Sequence, residues 1–171
     1  VDSGGTSDIF NYSETTATDG QFWLQWDGAD DDGNDPSLSL NETGLQSGGV
    51  GVDLTFSKAK RFVLTGANNF GDDARLRFDV YTDATNWSRL ELTDPGTSGA
   101  HDVSFWYDDF AAQAGGGADF TNVGALELVG DLGTDVNNDF TIEQIDTPEP
   151  SSALFLLLGM LGVVGYGWRR R

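Results

Sequence analysis

A two-residue rhythm constrains this chain most. Val50, Val52, Leu54 and Phe56 alternate with Asp53, Thr55 and Ser57. On an extended backbone successive side chains leave on opposite faces, so each set lines one face of a half-buried strand. Leu76, Phe78 and Val80 repeat the pattern against Arg75, Arg77 and Asp79, and Leu90 with Leu92 continues it. Val103, Phe105 and Tyr107, then Leu126 and Leu128, then Phe140 and Ile142 do the same. With Phe22 to Trp26 and the pair Phe62 and Leu64, the rhythm predicts about eight short strands. No segment ahead of the C-terminal tail carries a convincing helical period. The expected fold is therefore all-β, an antiparallel β-sandwich of jelly-roll type over residues 1–146.

The connections are predicted from turn chemistry. Asp27 to Pro36 reads as a polar loop, Gly66 to Asp73 as a hairpin region and Ala114 to Gly117 as a flexible link. Asn137-Asn138 suits a tight turn between the last two strands, because asparagine tolerates positive φ. The first twenty residues are weakly patterned, so either an edge strand begins there or the sandwich lacks its first strands. Val1 to Thr18 shows neither a basic start nor an apolar run, and Val1 is read as the start of a processed or truncated chain.

Charge narrows the partners. The chain has a formal charge of -19, and residues 1 to 147 alone hold 27 acidic against six basic residues. So acidic a surface repels phosphate backbones and anionic head groups, which excludes nucleic acid as an expected partner. With no cysteine, disulfides, thiolate zinc sites and cysteine nucleophiles are ruled out.

The tail breaks the strand rhythm. Ala153 to Trp168 contains no charged residue and is followed by Arg169, Arg170 and Arg171. As a helix these sixteen residues span roughly 24 Å, so the expected single C-terminal transmembrane helix needs a thin membrane or help from its flanks. Ser151, Ser152 and snorkelling arginine stems supply that reach. The arginines favour the cytoplasmic side, leaving the acidic domain outside. Ahead of the helix, Thr147-Pro148-Glu149-Pro150 forms an extended spacer, since two prolines resist helix.

Pro148-Glu149-Pro150, the glycine-rich apolar segment and Arg169 to Arg171 together resemble the PEP-CTERM sorting signal of Gram-negative bacteria. The resemblance implies a 147–171 tail made of a 147–152 spacer, a 153–168 membrane helix and a 169–171 basic cluster. It also implies recognition of Pro148, Glu149 and Pro150 by an exosortase-type sorting enzyme, and an envelope or extracellular location in an exopolysaccharide-producing cell. A looser resemblance runs over residues 26 to 146. Trp26-Asp27-Gly28, Gly51-Val52-Asp53-Leu54-Thr55, Val80-Tyr81-Thr82-Asp83-Ala84 and Asp119-Phe120-Thr121-Asn122-Val123-Gly124-Ala125 look like the ectodomain common among PEP-CTERM proteins. That likeness supports the β-sandwich and adds no active site.

Three kinds of site are weighed in the domain. Asp27, Asp30, Asp31, Asp32 and Asp35 are hard oxygen ligands in one loop, as calcium requires, but the spacing is not that of an EF-hand. A solvated acidic loop competes with that reading. Asp135, Asn137 and Asp139 have an alternate-ligand rhythm, yet Phe140 stands where a calcium loop needs glycine, and a hairpin turn is preferred. Trp23, Tyr81 and Trp106 fall out of phase with their apolar neighbours, so they point outward, where flat rings suit stacking on sugars. Packing beneath loops is the competing reading for each ring.

Catalysis has little support. His101 is the single histidine, without a nucleophile elbow or oxyanion glycine pattern beside it. Carboxylate pairs are too abundant in so acidic a chain to mark a glycosidase. The expected function is a non-catalytic envelope or exopolysaccharide-matrix protein without a resident cofactor. A carbohydrate-binding module is the alternative, and a glycan hydrolase the weaker third.

Overall fold

The structure is a computed structural model and describes residues 10–13, 20–28, 40–55, 58–70, 73–95, 99–130, 139–142 and 144–146. Ten strands follow in order: β1 Phe10–Ser13, β2 Phe22–Trp26, β3 Arg61–Phe70, β4 Ala74–Asp83, β5 Asn86–Asp94, β6 His101–Trp106, β7 Ala111–Ala114, β8 Ala125–Gly130, β9 Asp139–Ile142 and β10 Gln144–Asp146. The helical content among the described elements is one short 3-10 turn at Tyr107–Asp109.

All strand pairings are antiparallel, and they build two sheets. In the first, β1 pairs β9, while β3 lies between β6 on one side and β9 with β10 on the other. β9 and β10 keep a single register along β3, with Asp139 opposite Phe70 and Gln144 opposite Thr65. The second sheet has the order β2-β8-β4-β5-β7. Of the described strands, only β4 and β5 form a hairpin of chain neighbours within it. Most other connections pass from one sheet to the other.

The sheets pack face to face through the residues that the two-residue rhythm assigns inward. Phe62 and Leu64 of β3, Val103 and Phe105 of β6 and Ile142 of β9 come from the first sheet. Phe22, Ala74, Leu76, Phe78, Val80 and Leu128 come from the second. Phe62 and Phe78 stack across the interface with ring centroids 4.4 Å apart, and Phe105 lies 5.3 Å from Phe78. Phe110, Tyr107 and Phe120 extend this ring cluster, with Phe110 edge-on to both Phe62 and Phe78 and Tyr107 stacked on Phe120 at 4.5 Å. Offset and edge contacts of this kind add to the burial of the rings themselves. Burial pushes the Tyr107 hydroxyl up to about 12, and it donates to the Leu54 carbonyl at 3.3 Å.

Loops on this scaffold are closed by one repeated device, an Asx-X-Thr step. The carboxylates of Asp53, Asp83 and Asp119 each accept from the backbone N–H and the hydroxyl of the threonine two residues on, over 2.6–2.9 Å. Such a turn satisfies a backbone donor without a strand partner. The threonine hydroxyl bonds also hold Asp83 and Asp119 below the ordinary carboxylate range.

Several sequence expectations change. Val50 to Thr55 is not a strand. Gly48 and Gly49 take φ of 63° and 82° in a tight turn that brings Ser47 N to Val50 O at 2.9 Å. Val52 then makes a single isolated bridge to Val123, and Val50 stays 67% exposed. Local turn chemistry overrides the alternation there, and of the four apolar residues Leu54 packs against the core while Phe56 lies outside the described residues. Gly66 to Asp73 is not a hairpin either. β3 runs on to Phe70, and the chain then changes sheet to enter β4. Tyr107 leaves the strand rhythm for the 3-10 turn. Of the two readings of the first twenty residues, the edge strand holds, because Phe10–Ser13 pairs with β9. Asn137 and Asn138 lie outside the described residues.

Gly124 shows how closely the loops approach the sheets. Its N–H donates to the Tyr81 carbonyl at 2.7 Å and its carbonyl accepts from Leu45 N–H at 2.8 Å. A Cβ at this position would run into the backbone oxygens of Glu42 and Thr82, so only glycine fits without displacing main chain.

Candidate functional site

Cross-strand register places chemistry on the outer face of the second sheet. Phe22, Leu24, Phe78, Val80 and Leu128 point inward, so their neighbours along the strand point out. One outward row is Trp23, Val129, Arg77 and Glu91, because Trp23 is opposite Val129, Val129 opposite Arg77 and Arg77 opposite Glu91. The next is Gln25, Glu127, Asp79 and Arg89, and a third brings Ala125 beside Tyr81 and Trp87.

The central row is one continuous polar network across four strands. Gln25 Nε2 donates to Glu127 Oε2 at 2.7 Å, and Arg77 Nη2 to Glu127 Oε1 at 3.1 Å. Arg77 Nε stands 3.1 Å from Asp79 Oδ2. Arg89 closes the row with two parallel bonds, Nε to Asp79 Oδ1 and Nη2 to Asp79 Oδ2, each 2.8 Å. This bidentate fork is the strong form of an ion pair. It also raises the Arg89 pKa further above its ordinary value. The Asp79 carboxylate is fully buried beneath the two guanidinium groups, which stay about one fifth to one quarter exposed. Arg75 pairs with Glu91 at 3.3 Å on the open end of the face. Three arginines thus meet three carboxylates, and the face is neutral within a strongly acidic domain. These three are half of the six basic residues ahead of Pro148.

Rings flank the network. Trp23 is 43% exposed at one corner. At the diagonal corner Tyr81 stacks on Trp87, with centroids 5.2 Å apart, and the Arg89 guanidinium lies 5.0 Å from the Trp87 ring. Burial, reinforced by the nearby Asp79 and Glu127 charges, pushes the Tyr81 hydroxyl up to about 12, so it remains a hydrogen-bond donor at neutral pH. Flat rings beside fixed donors and acceptors can stack on an apolar surface while bonding hydroxyl groups.

The sequence-predicted rings therefore separate. Trp23 and Tyr81 share the second sheet. Trp106 belongs to β6 of the first sheet, 46% exposed, with the Arg61 guanidinium 4.7 Å from its ring. It cannot act with the other two on one ligand. Sequence reasoning missed Trp87, Gln25, Glu127 and Arg89. Regular pairing from Asp83 opposite Asn86 would place Trp87 against Thr82, and an irregularity between Tyr81 and Asp83 shifts the register by one, so that Trp87 faces Tyr81 and Arg89 faces Asp79.

The acidic loop offers less. Asp27 accepts the Asn41 backbone N–H at 2.9 Å, while Asp30, Asp31, Asp32 and Asp35 lie outside the described residues. Among the described residues no group of three or more histidines, cysteines or carboxylates is placed to hold a metal ion. Asp135 also lies outside them.

His101 sits in an ion pair. Its Nε2 is 2.6 Å from Asp94 Oδ1 and its Nδ1 3.1 Å from the Gly99 carbonyl. Two acceptors facing both ring nitrogens favour the doubly protonated ring. The Asp94 bond above all, then the Gly99 carbonyl, raises the His101 pKa, while burial raises that of Asp94. A raised histidine contributes stability that is complete below about pH 6.5 and is lost as pH rises through the folded-state value. Urea midpoints between pH 6 and 8.5 are thus expected to fall in the natural chain and to flatten in His101→Gln. Because the chain has a single histidine, equal slopes in the two would show that the pair contributes nothing.

The described residues form a two-sheet, antiparallel β domain, and a short apolar and basic segment follows it in the sequence. Residues 146–171 match the family described as the PEP-CTERM protein-sorting motif, so the chain carries that motif over those residues. No curated protein and no solved structure matches it. Among the described residues no helix is long and apolar enough to cross a membrane. Pro148, Glu149, Pro150, the segment from Ala153 to Trp168 and Arg169 to Arg171 all lie outside those residues.

Proposed function

We propose that this chain is a non-catalytic surface component of the bacterial envelope or its exopolysaccharide matrix, delivered through its C-terminal tail. The observation that carries the reading is the sorting-motif match over residues 146–171. In this reading an exosortase-type enzyme recognises Pro148-Glu149-Pro150 on its extended spacer. Ala153 to Trp168 holds the chain in the membrane with Arg169 to Arg171 on the cytoplasmic side until the tail is processed. The domain then works by packing and adhesion. Support for a jelly roll comes from the strand orders β1-β9-β3-β6 and β2-β8-β4-β5, between which the chain alternates, with β10 continuing β9 along β3 and β7 added at an edge. Support for a non-catalytic role comes from the sequence, where His101 is the single histidine and has neither a nucleophile elbow nor an oxyanion glycine pattern beside it.

The test is made in the native host by replacing Pro148, Glu149 and Pro150 with alanine. The variant is expected to stay in the membrane fraction with Arg171 intact, while the natural chain loses its basic terminus. Mass spectrometry of the surface protein reads this directly. A mature natural protein still ending at Arg171 would sink the processing claim.

A further inference from the structure

We infer that the outer face of the second sheet is a binding platform for a neutral polysaccharide. The inference goes beyond delivery to the surface, and its test is independent of tail processing.

Charge is the first argument. Elsewhere the domain is acidic, so an anionic polymer approaching it meets repulsion. On this face Arg75, Arg77 and Arg89 are matched by Glu91, Asp79 and Glu127, and the ion pairs neutralise one another in place. The face adds no net charge of its own to the acidic field of the domain, whereas its fixed dipoles remain. A neutral, hydroxyl-rich ligand is the chemistry that suits it. Hydroxyl groups both donate and accept, so they can use the lone pairs of the exposed Glu91 carboxylate and the N–H groups of the partly exposed Arg75, Arg77 and Arg89 guanidinium groups.

The second argument is the placing of the rings. Trp23 shares a row with Arg77, and Tyr81 lies four residues further along β4. Two strand spacings across and four residues along put them roughly 16 Å apart on a diagonal. Between them run Gln25, Glu127, Arg77 and Asp79. A stacking ring at each end of a polar row matches an extended chain of sugars, which presents apolar CH faces and hydroxyl edges in alternation. The span is too long for one monosaccharide to use both rings.

Preorganisation is the third. Arg89 is fixed by its two bonds to Asp79 and holds the Trp87 ring, which in turn stacks on Tyr81. Little side-chain freedom remains to be lost when a ligand settles there, which favours binding. A second copy of this chain is the competing occupant, but two domains this acidic repel one another at close approach.

The full chain is tested by affinity electrophoresis in a non-ionic detergent without a sugar head group, through gels containing hydroxyethylcellulose, dextran or alginate. Retardation by at least one of the two neutral polymers is expected, with none by the anionic alginate. Trp23→Ala and Tyr81→Ala should each weaken binding about tenfold, at the upper end of what one ring contact supplies. Trp106→Ala, on the other sheet, should leave it unchanged. Tyr81→Phe keeps the ring and should retain most of the affinity, which covers the case in which Tyr81→Ala does not fold. The polymer should also slow oxidation of Trp23 by N-bromosuccinimide in the natural chain. No retardation by either neutral polymer, stronger retardation by alginate, or loss through Trp106→Ala while Trp23→Ala still binds would each overturn the platform. So would a dimer abolished by Trp23→Ala in a chain that ignores both neutral polymers.

Discussion

Phe78→Ala should lower the stability of the domain by about 3–5 kcal/mol, the cost of truncating a large buried ring. At about 2–4 °C per kcal/mol for a chain of this size, the melting temperature falls by roughly 10 °C. Phe78 is fully buried at the meeting point of the sheets, with Phe62 stacked on it and Phe105 and Phe110 around it. The surroundings are rigid strands, so the cavity cannot collapse and the loss includes a cavity contribution. Phe78→Leu refills most of that space and should cost less than half as much. Scanning calorimetry distinguishes the outcomes, and a fall below about 1 kcal/mol for the alanine variant would show that the sheets do not meet at this ring.

Arg89→Met is the second large effect, and its asymmetry is the informative part. Removing Arg89 leaves the fully buried Asp79 carboxylate paired with Arg77. Stranding a buried charge costs about 3–5 kcal/mol, and the surviving Arg77 contact places this variant near the lower end. Asp79→Leu removes the buried charge itself and leaves two guanidinium groups that already reach water, so it should cost less. The double variant should be milder than the sum of the singles, since an apolar pair can replace a buried ion pair at little net cost. Urea denaturation of the three variants checks the order. If Asp79→Leu proves the more damaging single change, the arginines and not the carboxylate are the groups in need of a partner.

The two-residue rhythm was readable wherever a strand has one face in the core and one in solvent. Leu76, Phe78 and Val80 were assigned correctly for that reason, as were Phe62, Leu64, Val103, Phe105 and Leu128. It misled at Val50 to Leu54, where the pattern is present but Gly48 and Gly49 bend the chain and an Asx turn takes the backbone donors. It was silent at β7, where Ala111–Ala114 pairs with β5 through backbone alone and its first three residues are exposed. The candidate face was half visible. Phase marked Trp23 and Tyr81 as outward, but phase carries no information on which sheet a strand joins, and Trp106 was grouped with them although it sits on the other sheet. Nor could it reveal the ion-pair row, because Gln25, Glu127, Asp79 and Arg89 are adjacent only through strand order.

The interleaving of the sheets has a consequence for the order of assembly. Folding that depends on contacts far apart in sequence is slow, because the connecting loops must close before the contacts form. In the first sheet each pairing is of this kind: Phe10 meets Ile142, Phe70 meets Asp139 and Phe62 meets Phe105. The β4-β5 hairpin can form early, yet the first sheet stays open until its final segment arrives. That segment, β9 with β10, sits between β1 and β3 at one end and closes along β3 at the other, and β10 ends at Asp146. The sorting motif begins at residue 146. Completion of the domain is therefore timed by the same stretch of chain that leads into the tail. A chain leaving the ribosome from its N-terminus has no finished first sheet until Asp146 has emerged.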